Sequence, residues 1–146
     1  MSMLAHMHRS RATMPDNVQL LYASKGTSLD IKHVLFANRI LNIASEYSAS
    51  RLQVQFFLTT TTTTVAPNAE QSSTTTVAEQ VDLDNVSSHT GRISRRHIEE
   101  ALGDVAGRRD VVCYVCGPRQ MTDELVDMVG KMDGMEAERV LCEKWW

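Results

Sequence analysis

Cys116-Gly117-Pro118, with Met121 three residues on, is the place in this chain where residue types and spacing could do chemistry. A run of β-branched, aromatic and small apolar residues, Val111 to Cys116, precedes it and predicts a strand covered on both faces in a parallel sheet. Gly117 lets another group approach the backbone closely, and Pro118 suits the first turn of a helix, where its missing N–H costs nothing. Met121, Leu125, Val126, Met128, Val129 and Met132 then recur at helical spacing. A strand whose carboxyl end opens into a Gly-Pro turn and a helix N-terminus is where open α/β sheets bind nucleotides.

Other chemistries have weaker support in the residues. Cys113-x-x-Cys116 has the spacing of a zinc or dithiol pair, but residues three apart on a strand point to opposite faces, and neither a second pair nor clustered histidines accompany it. Taken alone, Cys116 reads as a small buried hydrophobe. A Ser/His/Asp hydrolase is unsupported, since no Gly-x-Ser-x-Gly occurs. With 42% hydrophobic and 23% charged residues, the 146-residue chain has the composition of one globular domain. A formal charge of −3 and pI near 5.9 provide no global attraction to nucleic acid. No apolar run reaches the ~20 residues of a membrane-spanning helix. Cys113, Cys116 and Cys142 make an odd count, which argues against a secreted disulfide scaffold.

Cys116-Gly117-Pro118-x-x-Met121 resembles the Cys-Gly-Pro-x-x-Met motif of the NAD(P)-binding domain in the ferredoxin-NADP reductase family. Leu20-Leu-Tyr-Ala-Ser-Lys25 and the terminal Arg139-Val-Leu-Cys-Glu-Lys-Trp-Trp146 extend the likeness over most of the chain, excepting its Thr-rich middle. The resemblance implies an α/β fold, a Rossmann-like three-layer parallel sheet, and a part in NAD(P)H-dependent flavin reduction. It implies that Cys116 lies beside the nicotinamide and shares the catalytic role with Glu143. Ser24 and Lys25 would meet the adenosine ribose or a 2′-phosphate, while Gly117, Pro118 and Met121 would form the dinucleotide turn. Trp146 would stack on a flavin, or else cover the sheet edge together with Trp145. The implied cofactors are NAD or NADP, with FAD held in a flavin-binding barrel domain outside this chain. The implied partners are the dinucleotide and an electron-transfer protein, and the implied location is mitochondrial, otherwise cytoplasmic. From another class, the alternative is a non-catalytic remnant that binds a protein partner through its sheet edge.

The elements that must position these residues can be read in order. Met1 to Thr13 carries Arg9 and Arg11, has no acid and puts Leu4, Met7 and His8 on one side of a helix. It reads either as a mitochondrial transit peptide or, preferably, as the first helix of a Rossmann-like unit. Pro15-Asp16-Asn17 is a turn, and Val18 to Ala23 a strand that corresponds to the family's second. The family's Gly-Gly-x-Gly-x-x-Pro phosphate turn is absent, none of the seven glycines preceding Gly26. In the family's strand order of 3-2-1-4-5, the central first strand would then be missing, leaving two strands with open edges. The expectation is an N-terminally truncated NAD(P)-binding domain over residues 1–146.

Thr27 to Tyr47 reads as one long helix, opened by a Thr27-x-x-Asp30 capping box and striped by Ile31, Val34, Leu35, Leu41 and Ala44. Leu52 to Leu58 reads as the third strand. From about 59 to 88 the threonine-rich pattern predicts a flexible surface insertion. A helix over Ser94 to Leu102 sets Arg95 four residues before Glu99 and Arg96 four before Glu100, so its charges neutralise one another on a solvated face.

Overall fold

Phe56, Phe57 and Leu58 are consecutive and all buried, at 0%, 1% and 3% exposure, so the strand that carries them is covered on both faces. This strand, β2 (Leu52–Thr60), pairs in parallel with β1 (Val18–Gly26) on one side and β3 (Val86–Thr90) on the other. The computed structural model describes residues 2–10, 14–26, 29–60 and 83–145. They fall into two compact units, Met1–Ile93 and Ser94–Trp146. Each has a parallel sheet with a helix between paired strands, which makes the architecture α/β.

In the first unit, α1 (Ser2–Arg9) and α2 (Ala37–Ala44) contribute to a core with Leu4, Ile40, Ile43 and Ala44 against Leu52, Val54 and Phe56. Ala37, Ile40, Ile43 and Ala44 recur at three or four residues, and this spacing puts them on the helix face that the sheet buries. β1 has β2 as its sole strand neighbour among the described residues.

Three sequence expectations change here. The long helix over 27–47 is broken: a 3-10 turn at Ile31–His33, capped by Asp30 Oδ1 accepting from the Lys32 N–H, precedes α2. Phe36 stands between them in the left-handed region at φ 66°, which ends any continuous helix, and Leu35 is 67% exposed instead of facing the core. Thr27 lies outside the described residues. The insertion is narrower than 59–88, because Thr59 and Thr60 continue β2 and Val86–Thr90 forms β3; residues 61–82 lie outside the described residues. Asn85 fixes the approach to β3 by donating from Nδ2 to the Ala44 and Tyr47 carbonyls at 2.9 and 3.1 Å. The strand read as third in an order of 3-2-1-4-5 is consequently not terminal in its sheet, and its run of buried residues on both faces is the physical reason.

The second unit begins with α3 (Arg95–Leu102), on which Arg95–Glu99 and Arg96–Glu100 pair at 2.7 and 2.8 Å, as their spacing predicts. A 3-10 segment, Val105–Asp110, leads into β4 (Cys113–Pro118), then α4 (Arg119–Gly130) and β5 (Val140–Trp145), with β4 and β5 parallel. Arg108 is buried and ties this loop down, donating to the Gly103 and Asp133 carbonyls at 2.9 and 3.1 Å. The strand runs two residues later than Val111–Cys116, and only one of its faces is covered. Val115 is buried, whereas Val112, Tyr114 and the neighbouring Leu141 are 57%, 37% and 49% exposed.

Candidate functional site

The carboxyl end of β4 and β5 gathers most of the residues singled out in the sequence. Side chains alternate along a strand, so Tyr114 and Cys116 share one face of β4 while Cys113 and Val115 share the other. Register does the rest: Cys116 lies opposite Glu143, and Tyr114 opposite Leu141. The Cys116 thiol donates to Glu143 Oε2 at 3.9 Å, and the Tyr114 hydroxyl donates to the same oxygen at 2.6 Å. That short, charge-assisted bond, followed by burial and the carboxylate's charge, pushes the Tyr114 phenol up to about 12. Cys113 and Cys116 sit three residues apart on unbroken strand, so their side chains point to opposite faces. Burial pushes the Cys113 thiol up.

Gly117 and Pro118 make the handover from strand to helix. Pro118 is the N-cap of α4 and no side chain caps the helix, so the first amides of a twelve-residue helix stay open at the strand's end. Arg119 begins the helix with its Nε 3.9 Å from Asp123 Oδ2. Asp123 also receives Lys144 of β5 at 2.5 Å, and this hydrogen bond first, with the two cations' charges, holds its carboxyl below the usual carboxylate range. The turn is braced from within by Thr122, fully buried, whose Oγ1 donates to the Gly117 carbonyl at 3.2 Å.

Gly117 has a structural duty beyond the close approach expected of it. A Cβ built there would collide with the terminal methyl of Met121 and lie near Thr122 Oγ1, so the bare position lets α4 pack directly on the strand end. Met121 is thus a packing partner of the turn. Ser24 and Lys25 occupy the carboxyl end of β1 in the other unit. The Ser24 carbonyl accepts from Thr59 Oγ1 at 3.4 Å, and Lys25 is exposed, with no ion pair among the described residues. Trp146 lies outside the described residues.

Two residues of this site were not singled out from the sequence, Tyr114 and Thr122. The signal for Tyr114 was its place two before Cys116, which on a strand means the same face. For Thr122 it was a hydroxyl one turn after a Gly-Pro handover, where a free carbonyl needs a donor. No helix among the described residues is long and apolar enough to cross a membrane.

Comparison with known proteins gives one distant relative. The chain is 24% identical over 141 residues, 97% of its own length, to an oxidoreductase NAD-binding domain-containing protein 1 of Danio rerio. It spans 43% of that relative, less than half. No family model and no solved structure matches.

Proposed function

We propose that this chain is the dinucleotide-binding part of an NAD(P)H-dependent flavin oxidoreductase of the ferredoxin-NADP reductase type. The observation that carries the reading is the β4–Gly117–Pro118–α4 handover, with Cys116 and Glu143 meeting on the open face at its strand end. The name of the Danio rerio relative, an NAD-binding oxidoreductase domain protein, supports it.

The residues present fit a nicotinamide dinucleotide. The open amides at the start of α4, with Arg119 beside them, suit a pyrophosphate, since an uncapped helix N-terminus favours anions. Ser24 and Lys25 end a parallel strand of the first unit, where the family likeness assigns contacts to an adenosine ribose or a 2′-phosphate, Lys25 supplying the cation. Bound there, the dinucleotide would supply a hydride, for which FAD on a domain outside this chain would be the acceptor. What Cys116 and Glu143 contribute is position: a soft thiol and a carboxylate flank the place where the nicotinamide ring must be held. An electron-transfer protein would serve as the oxidant.

Calorimetric titration with NADH, NADPH and ADP-ribose tests the binding half of this reading. Binding that weakens in Gly117→Val is the expected result, and no binding of any of the three overturns it. In the longer, flavin-containing polypeptide, Cys116→Ser should slow flavin reduction by more than it weakens dinucleotide binding. A variant that reduces flavin at the wild-type rate while melting earlier would return Cys116 to a packing role.

The edge of β1 away from β2, which has no strand neighbour among the described residues, favours a second reading, a non-catalytic module that pairs this edge with a partner's strand. It predicts a stable complex or self-association without dinucleotide affinity, which sedimentation of the isolated chain would register.

A further inference from the structure

Glu143 accepts both of its side-chain hydrogen bonds on one oxygen. Oε2 takes the Tyr114 hydroxyl at 2.6 Å and the Cys116 thiol at 3.9 Å, while Oε1 takes none from the described residues. Tyr114 reaches it diagonally, since its own register partner is Leu141 and Glu143 lies two residues farther along β5. A glutamate on an exposed strand face ordinarily samples several rotamers. The phenol, itself 37% exposed, removes that freedom and fixes which oxygen remains open.

We propose that Tyr114 is a positioning residue, whose hydroxyl pins Glu143 beside Cys116 so that Oε1 is presented to the carboxamide N–H of the bound nicotinamide. This rests on the dinucleotide reading and adds to it a residue and a specific atom. The choice of ligand group follows from the acceptor: a carboxylate oxygen with two protein donors on its twin can serve only an incoming N–H or O–H. The reduced nicotinamide ring offers one such donor group, its carboxamide. The alternative, that Tyr114–Glu143 is an ordinary surface contact, makes the pair worth little and makes no difference to any ligand.

An analogue series separates the two. Reduced 3-acetylpyridine adenine dinucleotide replaces the carboxamide by an acetyl group, which keeps the carbonyl and loses the N–H, and ADP-ribose lacks the ring altogether. The wild-type chain should bind NADH about tenfold tighter than the acetyl analogue, the worth of one hydrogen bond to a charged acceptor. Tyr114→Phe should collapse that ratio toward one and leave ADP-ribose affinity unchanged. Glu143→Gln should reduce the ratio as well. If ADP-ribose fails to bind the wild-type chain, the dinucleotide reading itself falls and this inference with it. If ADP-ribose binds but the wild-type chain does not discriminate, or Tyr114→Phe discriminates as the wild type does, the dinucleotide reading stands and the role of Tyr114 is overturned.

Discussion

Thr122 Oγ1 donates to the Gly117 carbonyl at 3.2 Å, and this single bond closes the turn between β4 and α4 from the inside. The donor is fully buried, so the carbonyl has no solvent to fall back on when the hydroxyl is removed. Thr122→Val keeps the shape and deletes the donor, which should cost about 1–3 kcal/mol. Trp145 ends β5, so the fluorescence-detected unfolding of the second unit reports the loss. A midpoint unchanged in denaturant would show that the carbonyl finds another partner.

Gly117 and Met121 form the second coupled pair of the turn. The clash that a Cβ at 117 would meet is with the far end of a flexible side chain, so it is relieved if Met121 moves. Gly117→Ala should therefore destabilise by about 1–3 kcal/mol, the usual range for overpacking. Combined with Met121→Ala, the added cost of Gly117→Ala should shrink, giving a double-mutant coupling of about 1 kcal/mol. Strict additivity would mean that the glycine serves the backbone or a ligand and not the helix.

The strand-turn-helix at Cys116-Gly117-Pro118 was legible because each residue there answers a backbone requirement: an apolar run for a strand, a bare Cα for close packing, a fixed φ at a helix start. The same logic recovered α3 and its two i,i+4 pairs. It failed where the signal is tertiary. The run from Ile31 to Ala44 has helical spacing throughout, and the extended Val34 and the left-handed Phe36 divide it, the latter a conformation that no propensity scale assigns to phenylalanine. β3 reads as polar, Val-Ser-Ser-His-Thr, and owes its place to register with β2, to the stacking of His89 on Phe57 at 4.9 Å and to Asn85. Two-sided cover is expected for both apolar runs and holds for Phe56–Leu58 but not for Val111–Cys116, because sequence does not say what lies above a strand.

At alkaline pH the Tyr114–Glu143 bond should be visible as stability. The folded chain holds the phenol at about 12 against an ordinary 10.0, so the neutral form is favoured by folding. The contribution is complete below pH 10.0 and is lost as pH rises toward 12, where the phenol ionises in folded and unfolded chains alike. Unfolding midpoints measured across that window should fall in the wild type and fall less in Glu143→Gln. Burial also raises the Tyr22 phenol, which adds a slope common to both proteins. Parallel slopes would show that the hydrogen bond does not survive in solution.

Phe36 offers the clearest test of strain in the first unit. Its φ of 66° and ψ of 3° put a bulky residue in the left-handed region at the start of α2, where a Cβ crowds the carbonyl oxygen at a cost of about 1–2 kcal/mol. The conformation is imposed from outside the turn: the Tyr22 hydroxyl, on β1, donates to the Leu35 carbonyl at 3.0 Å, while Val34 and Ala37 on either side are buried. The ring itself is 47% exposed. Comparing Phe36→Gly with Phe36→Ala separates backbone from ring, since both variants lose the ring and only alanine keeps the Cβ. Phe36→Gly should be the more stable by about 1 kcal/mol, and Tyr22→Phe, which releases the turn, should narrow that gap. The turn follows the strand that carries Ser24 and Lys25, which the proposed function assigns to the adenosine portion, and strained residues cluster at ligand sites. In calorimetry, then, ADP-ribose affinity should fall in Phe36→Gly even though the fold gains. Equal stability of the two variants would remove the strain, and affinity unchanged alongside a stability gain would leave the strain without a part in binding.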